Sequence, residues 1–111
     1  MPSGLRMTIL GAALIGGALA SARGDAAEMS RAAMGARVAK TSCAMCHVVA
    51  PGQGSSWTDA PTFEAIANNP ATTARGIIAF LQKPHMHMLQ YRQGRSHAAD
   101  IAAYILSLRR Q

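Results

Sequence analysis

Cys43-Ala44-Met45-Cys46-His47 is the stretch on which the reading of this chain turns. C-x-x-C-H is the attachment sequence of a c-type haem. Two thiols one helical turn apart can add across the two vinyl groups on one porphyrin edge. His47, four residues after Cys43, shares that side of the turn and can send an imidazole nitrogen to the iron. Two other chemistries use the same cysteine spacing. A thioredoxin-like dithiol needs a strand entering a βαβ unit, and nothing around Cys43 and Cys46 reads that way. A zinc site needs a second ligand pair, but the chain has only two cysteines, and its other histidines lie far downstream. Haem c, held by two thioethers, is the cofactor the motif predicts.

The amino terminus reads as an export leader. Arg6 is the only charged side chain in the first 22 residues, and residues 7–20 run without a charge. That stretch is short for a transmembrane helix, which needs about 20 apolar residues, and has the form of a signal-peptide core. Ala18-Leu19-Ala20 offers a cleavage site, and Ala20-Ser21-Ala22 a second. Residues 1–20 are thus read as a signal peptide, with cleavage after Ala22 as the variant, and residues 21–111 as one domain. Retention of the leader as an anchor is the alternative. Export implies a periplasmic protein without stable membrane insertion after cleavage. A domain this small has a thin core, and with two Phe and one Trp it gains from a buried porphyrin. The domain keeps ten basic and five acidic residues, a net +5. This excess suits solubility, or steering toward an acidic partner face. No dense Lys/Arg stripe points to nucleic acid.

The pattern is all-α, with no convincing strand and no repeat. Asp25 to Lys40 is predicted helical, capped by Asp25 and rich in alanine, with Met34, Val38 and Thr41 on one side. Gly35 inside it signals a close approach by another element. Residues 48–60, with Pro51, Gly52, Gly54, Ser55 and Ser56, read as a loop. A short helix follows over 62–68, presenting Phe63 and Ile66. Asn69-Pro70 opens another, carrying Ile77, Ile78, Phe80 and Leu81, which runs to Gln82 before Pro84. Ser96 opens the last helix, to Arg109, with Ile101, Tyr104, Ile105 and Leu108 on one face. His97 reads as a surface or capping residue. Phe63, Ile66, Ile77, Phe80 and Leu81 are candidates for the haem wall. Trp57 covers the haem edge or sends its indole N–H to a propionate.

An electron-transfer haem commonly takes a second protein ligand, and methionine opposite histidine raises the potential. Met29, Met34 and Met45 sit on the wrong side of the chain to cross the haem. Met86 and Met88 follow Pro84, with His85 and His87 interleaved, so methionine and bis-histidine ligation are both open at this point.

The chain resembles the small class I cytochromes c over essentially all of residues 21–111. It shares with them the glycine eight residues before the first motif cysteine, Gly35, and the closing Ile101-Ala102-Ala103-Tyr104 element. It also shares Ala60-Pro61-Thr62-Phe63 and the Leu-x-x-Pro-His-x-x-Met spacing of Leu81 to Met88 with a bacterial subgroup. The resemblance implies a small all-α cytochrome c fold, with the terminal helices crossing at Gly35 and shorter helices and loops around one haem. It implies that the Pro61 carbonyl accepts the proton on the non-ligating nitrogen of His47, and that Met88 is the sixth ligand, giving His47 and Met88 as the metal set. Where the subgroup has Met-Pro, this chain has Met88-Leu89. The function implied is a soluble, monomeric one-electron carrier between redox-partner proteins, not an enzyme. A haem sensor or small peroxidase-like enzyme with a labile sixth ligand is one alternative, and an electron-transfer subunit of a larger enzyme another.

Overall fold

The computed structural model describes residues 15–85 and 91–111, and these form five helices with no strand. The first, α1 (Ile15–Ser42), is longer than the predicted 25–40. Alanines at 18, 20, 22, 26 and 27 leave nothing to stop it, so Asp25 lies inside the helix and does not cap it. Residues 22–31 are exposed, and the helix begins to bury a face only from about Ala32 onward.

A long loop leads to α2 (Phe63–Asn68), whose N-cap Thr62 accepts a hydrogen bond from the Ala65 N–H at 3.0 Å. Phe63 and Ala67 face inward. The next helix, α3 (Ala74–Leu81), starts later than predicted. Asn69 does not open it. Its backbone N–H closes α2 on the carbonyls of Ala65 and Ile66, while its side chain accepts from the Ala71 N–H at 2.9 Å. An Asn oxygen caps a tight turn as readily as a helix. Here Thr73 takes the cap instead, accepting from the Gly76 N–H at 3.1 Å. Ile77 and Leu81 are buried, whereas Phe80, predicted as wall, is 59% exposed.

The last helix is preceded by α4 (Tyr91–Ser96), a helix that the sequence reading does not predict. Ser96 ends α4, its hydroxyl donating back to the Arg92 carbonyl at 2.9 Å, and therefore does not open α5 (Ala98–Ser107). His97 occupies the N-cap without bonding the helix backbone, and its Nδ1 pairs with Asp100 Oδ2 at 3.0 Å. Ile101, Tyr104 and Ile105 of the predicted stripe are buried, with Ala98, Ala102 and Ala103 beside them.

The largest helix–helix interface joins α1 and α5. Val38 and Ala39 meet the α5 stripe there, and Gly35 marks the crossing. A Cβ on Gly35 would stand 2.5 Å from the Asp100 carbonyl carbon and 2.8 Å from Tyr104 Cβ, with the Asp100 carbonyl oxygen closer still. Only a glycine permits that approach. Beyond α5, Arg109 reaches back across the fold. Its guanidinium donates to the Ala67 carbonyl at 2.8 Å and the Thr72 carbonyl at 3.0 Å, tying the carboxyl end to the α2–α3 turn.

Candidate haem-attachment site

The helical path of α1 continues for one turn past Ser42, and this turn is the attachment motif. The N–H of Cys43 bonds to the Ala39 carbonyl at 2.9 Å, and the Cys46 and His47 N–H groups both reach the Cys43 carbonyl, at 3.1 and 2.9 Å. Cys43, Cys46 and His47 are thus brought together. Both thiols are free, Cys43 buried and Cys46 exposed. Burial, and then the neighbouring Cys46, push the Cys43 thiol up to about 11. Among the described residues no group of three or more His, Cys, Asp or Glu could hold a metal ion, so the zinc alternative has no ligand set there.

Pro61 comes to the motif from the far end of the loop. Its carbonyl oxygen lies 2.7 Å from His47 Nδ1. A carbonyl can only accept, so Nδ1 carries the proton and the lone pair of the neutral ring resides on Nε2. The ring is also backed by Phe63 at 5.4 Å between centroids, and Phe63 in turn by Tyr104 at 6.3 Å. His47 is therefore linked to α5 through two aromatic contacts.

On the α3 side, the rings of Phe80 and His85 stand 4.7 Å apart. His85 Nδ1 is buried without a hydrogen-bond partner. Burial holds His85 below the usual histidine range, with nearby His47 adding to the effect and a hydrogen bond from its ring to the Lys83 backbone opposing it. Met88, Met86 and His87 lie outside the described residues. Trp57 is anchored beside the motif. It is 90% exposed, with its backbone N–H on the Met45 carbonyl at 3.0 Å.

Two residues that the sequence reading does not single out touch the motif. Gln53 and Thr58 hydrogen-bond the backbone of residues 44–49. The turn signal at Pro51-Gly52 announces the loop, but no local pattern says where the following side chains reach.

The donor set fits a covalently held haem. Two thiols stand one turn apart, an imidazole is fixed with its lone pair on the outer nitrogen, and a large aromatic residue, Phe80, is left in solvent near the buried, unpartnered nitrogen of His85. Helices crossing at a glycine beside this motif define a monohaem c-type cytochrome.

The chain belongs to the small class I cytochromes c: over 75 residues it is 45% identical to cytochrome c-552 of Bradyrhizobium diazoefficiens, a match spanning 68% of this chain and 72% of that one. No family model and no solved structure gives a significant match. The protein is an electron-carrier cytochrome with haem c as its cofactor, and Cys43 and Cys46 are the only two cysteines available for the thioether links.

Proposed function

We propose that the protein is an exported, soluble one-electron carrier, not an enzyme, in which Cys43 and Cys46 hold the haem and His47 and Met88 ligate the iron. The observation that carries this reading is the 2.7 Å contact between His47 Nδ1 and the Pro61 carbonyl. Such a partner fixes the tautomer and the ring plane and makes Nε2 a stronger donor, which is what a permanent iron ligand requires. When bound, the haem supplies a single electron through the Fe(II)/Fe(III) couple. The chain holds the ligands still, so that little rearrangement accompanies each transfer, and a second ligand from Met88 closes the iron to small molecules.

The basic excess of the sequence supports an acidic docking face on the redox partners. Lys40 and Lys83 are exposed on the segments leading into the motif and out of α3. A periplasmic location rests on reading residues 1–20 as a leader.

The test is ferric absorption spectroscopy of Met88→Ala and Met86→Ala beside the unmodified protein. The weak far-red band of methionine-ligated ferric haem should survive Met86→Ala and vanish in Met88→Ala. The reverse pattern moves the ligand to Met86. Rapid carbon monoxide binding by the reduced, unmodified protein would replace the carrier reading with a sensor that has an open sixth position.

A further inference from the structure

The backbone carbonyls from Cys43 to Val49 each receive a hydrogen bond, and most of the donors come from one loop. The Cys43 carbonyl is taken by the motif itself. Beyond it, Met45 accepts from the Trp57 N–H at 3.0 Å and Cys46 from the Thr58 hydroxyl at 2.7 Å. Val48 accepts from the Phe63 N–H at 2.9 Å, and Val49 from the Tyr104 hydroxyl at 2.7 Å. The two remaining carbonyls, Ala44 and His47, are both served by Gln53.

Gln53 is placed by its turn. Pro51 and Gly52 lie between Ala50 and Gln53, whose N–H closes the turn on the Ala50 carbonyl at 3.2 Å. Gly52 has φ +80°, the conformation a type II turn demands of its third residue. The chain folds back, and the Gln53 amide reaches the end of the motif. Nε2 donates to the His47 carbonyl at 3.0 Å and to the Ala44 carbonyl at 3.4 Å, while Oε1 accepts from the Val49 N–H at 2.8 Å. All three bonds require this orientation of the amide, because carbonyls need donors and an N–H needs an acceptor.

We infer that Gln53 is a positioning residue for the haem ligand. It fixes the peptide of His47 from the backbone side, while Pro61 fixes the ring from Nδ1. With the backbone and the ring held separately, the imidazole plane has one setting about the bond it would make to iron. This inference rests on His47 being the ligand, as proposed above. A glutamine is suited to the task, since one side chain supplies two donors and one acceptor. Methionine matches its length with none of these, and glutamate keeps the acceptor but offers no donor at neutral pH.

The experiment uses the ferric, haem-loaded protein in four forms: unmodified, Gln53→Met, Gln53→Glu and Tyr104→Phe. The readouts are the haem-methyl resonances in the paramagnetic proton spectrum, whose order and spread follow the axial imidazole plane, and the acid concentration at which the imidazole leaves the iron. Both Gln53 variants should change the methyl pattern, and release of the imidazole should become about fivefold more favourable, the size of one net hydrogen bond. Tyr104→Phe removes a bond from Val49 without touching the His47 peptide. It should lower stability and leave the methyl pattern unchanged. If Gln53→Met lowers stability but keeps the unmodified methyl pattern, Gln53 is only a loop clamp and the inference falls. Should the methionine variant fail to load, Gln53→Glu decides on the same readouts. An unmodified protein without the signature of an imidazole-ligated haem overturns the ligand reading itself, a result distinguishable from the failure of Gln53.

Discussion

Replacing Gly35 with alanine adds one methyl group at the α1–α5 crossing, where the structure leaves no room. The added carbon would stand 2.5 Å from the Asp100 carbonyl carbon and 2.8 Å from Tyr104 Cβ. Unstrained carbon contacts lie at about 3.5–4.0 Å, so the two helices must separate by about 1 Å. The Asp100 obstruction is backbone, so no rotamer change relieves it. Separation loosens the contacts of Val38 and Ala39 with the α5 stripe, the largest interface of the fold. Overpacking of this kind costs about 1–3 kcal/mol, here at the upper end. Alanine returns about 0.5–1 kcal/mol through its better helix propensity. The net loss is about 2 kcal/mol, which lowers the unfolding midpoint by about 8–16 °C for a domain of this size. Gly24 supplies the control. It lies in the same helix, and a Cβ there meets nothing within 4 Å. Thermal unfolding of the ferric protein, followed by circular dichroism, should show Gly24→Ala unchanged or slightly raised and Gly35→Ala well below both. A Gly35→Ala midpoint at or above that of the unmodified protein would refute the steric reasoning.

Tyr104→Phe removes a buried 2.7 Å bond to the Val49 carbonyl and should cost about 1–2 kcal/mol in denaturant titration. The same residue gives a pH signature, because burial raises the Tyr104 phenol above its ordinary range. Above the free tyrosine value of about 10, the unfolded chain releases this proton while the folded one retains it, so stability falls as pH rises. The unmodified protein should therefore lose more stability than Tyr104→Phe between about pH 9 and 11, and equal losses would count against burial of the phenol. Gly52→Ala meets no steric obstacle but must hold φ +80°. It should cost about 1–2 kcal/mol, measurable by the same titration. Arg110→Ala, which breaks the exposed pair with Glu64, should change stability by less than about 1 kcal/mol, with the difference fading in high salt.

Much of this architecture was legible because particular residues have few alternatives. A glycine inside an alanine-rich helix predicts a close approach, and Gly35 meets the backbone of α5. The Ile101, Tyr104 and Ile105 spacing identifies a buried face without reference to its partner. Helix ends were less legible, because Asn69 and Ser96 carry side chains that serve turns and helix ends as well as beginnings. Asn69 holds the Ala71 N–H, and Ser96 bonds back to Arg92. Which role wins depends on competing caps such as Thr73, and on the chain on either side. The Gln53 bonds were not legible, since they arise from a turn that returns one side chain to three backbone groups four to nine residues earlier. The expected ligand Met88 lies outside the described residues, so its assignment still rests on spacing and resemblance.

The most direct measurement of the central claim is the mass of the protein recovered from the exported fraction, taken together with its pyridine haemochrome spectrum after denaturation. A chain carrying one haem that acid–organic extraction does not remove, with a c-type spectrum lost in the Cys43→Ser, Cys46→Ser double variant, is the predicted result. A chain of unmodified mass, or a haem that extraction strips away, would contradict it.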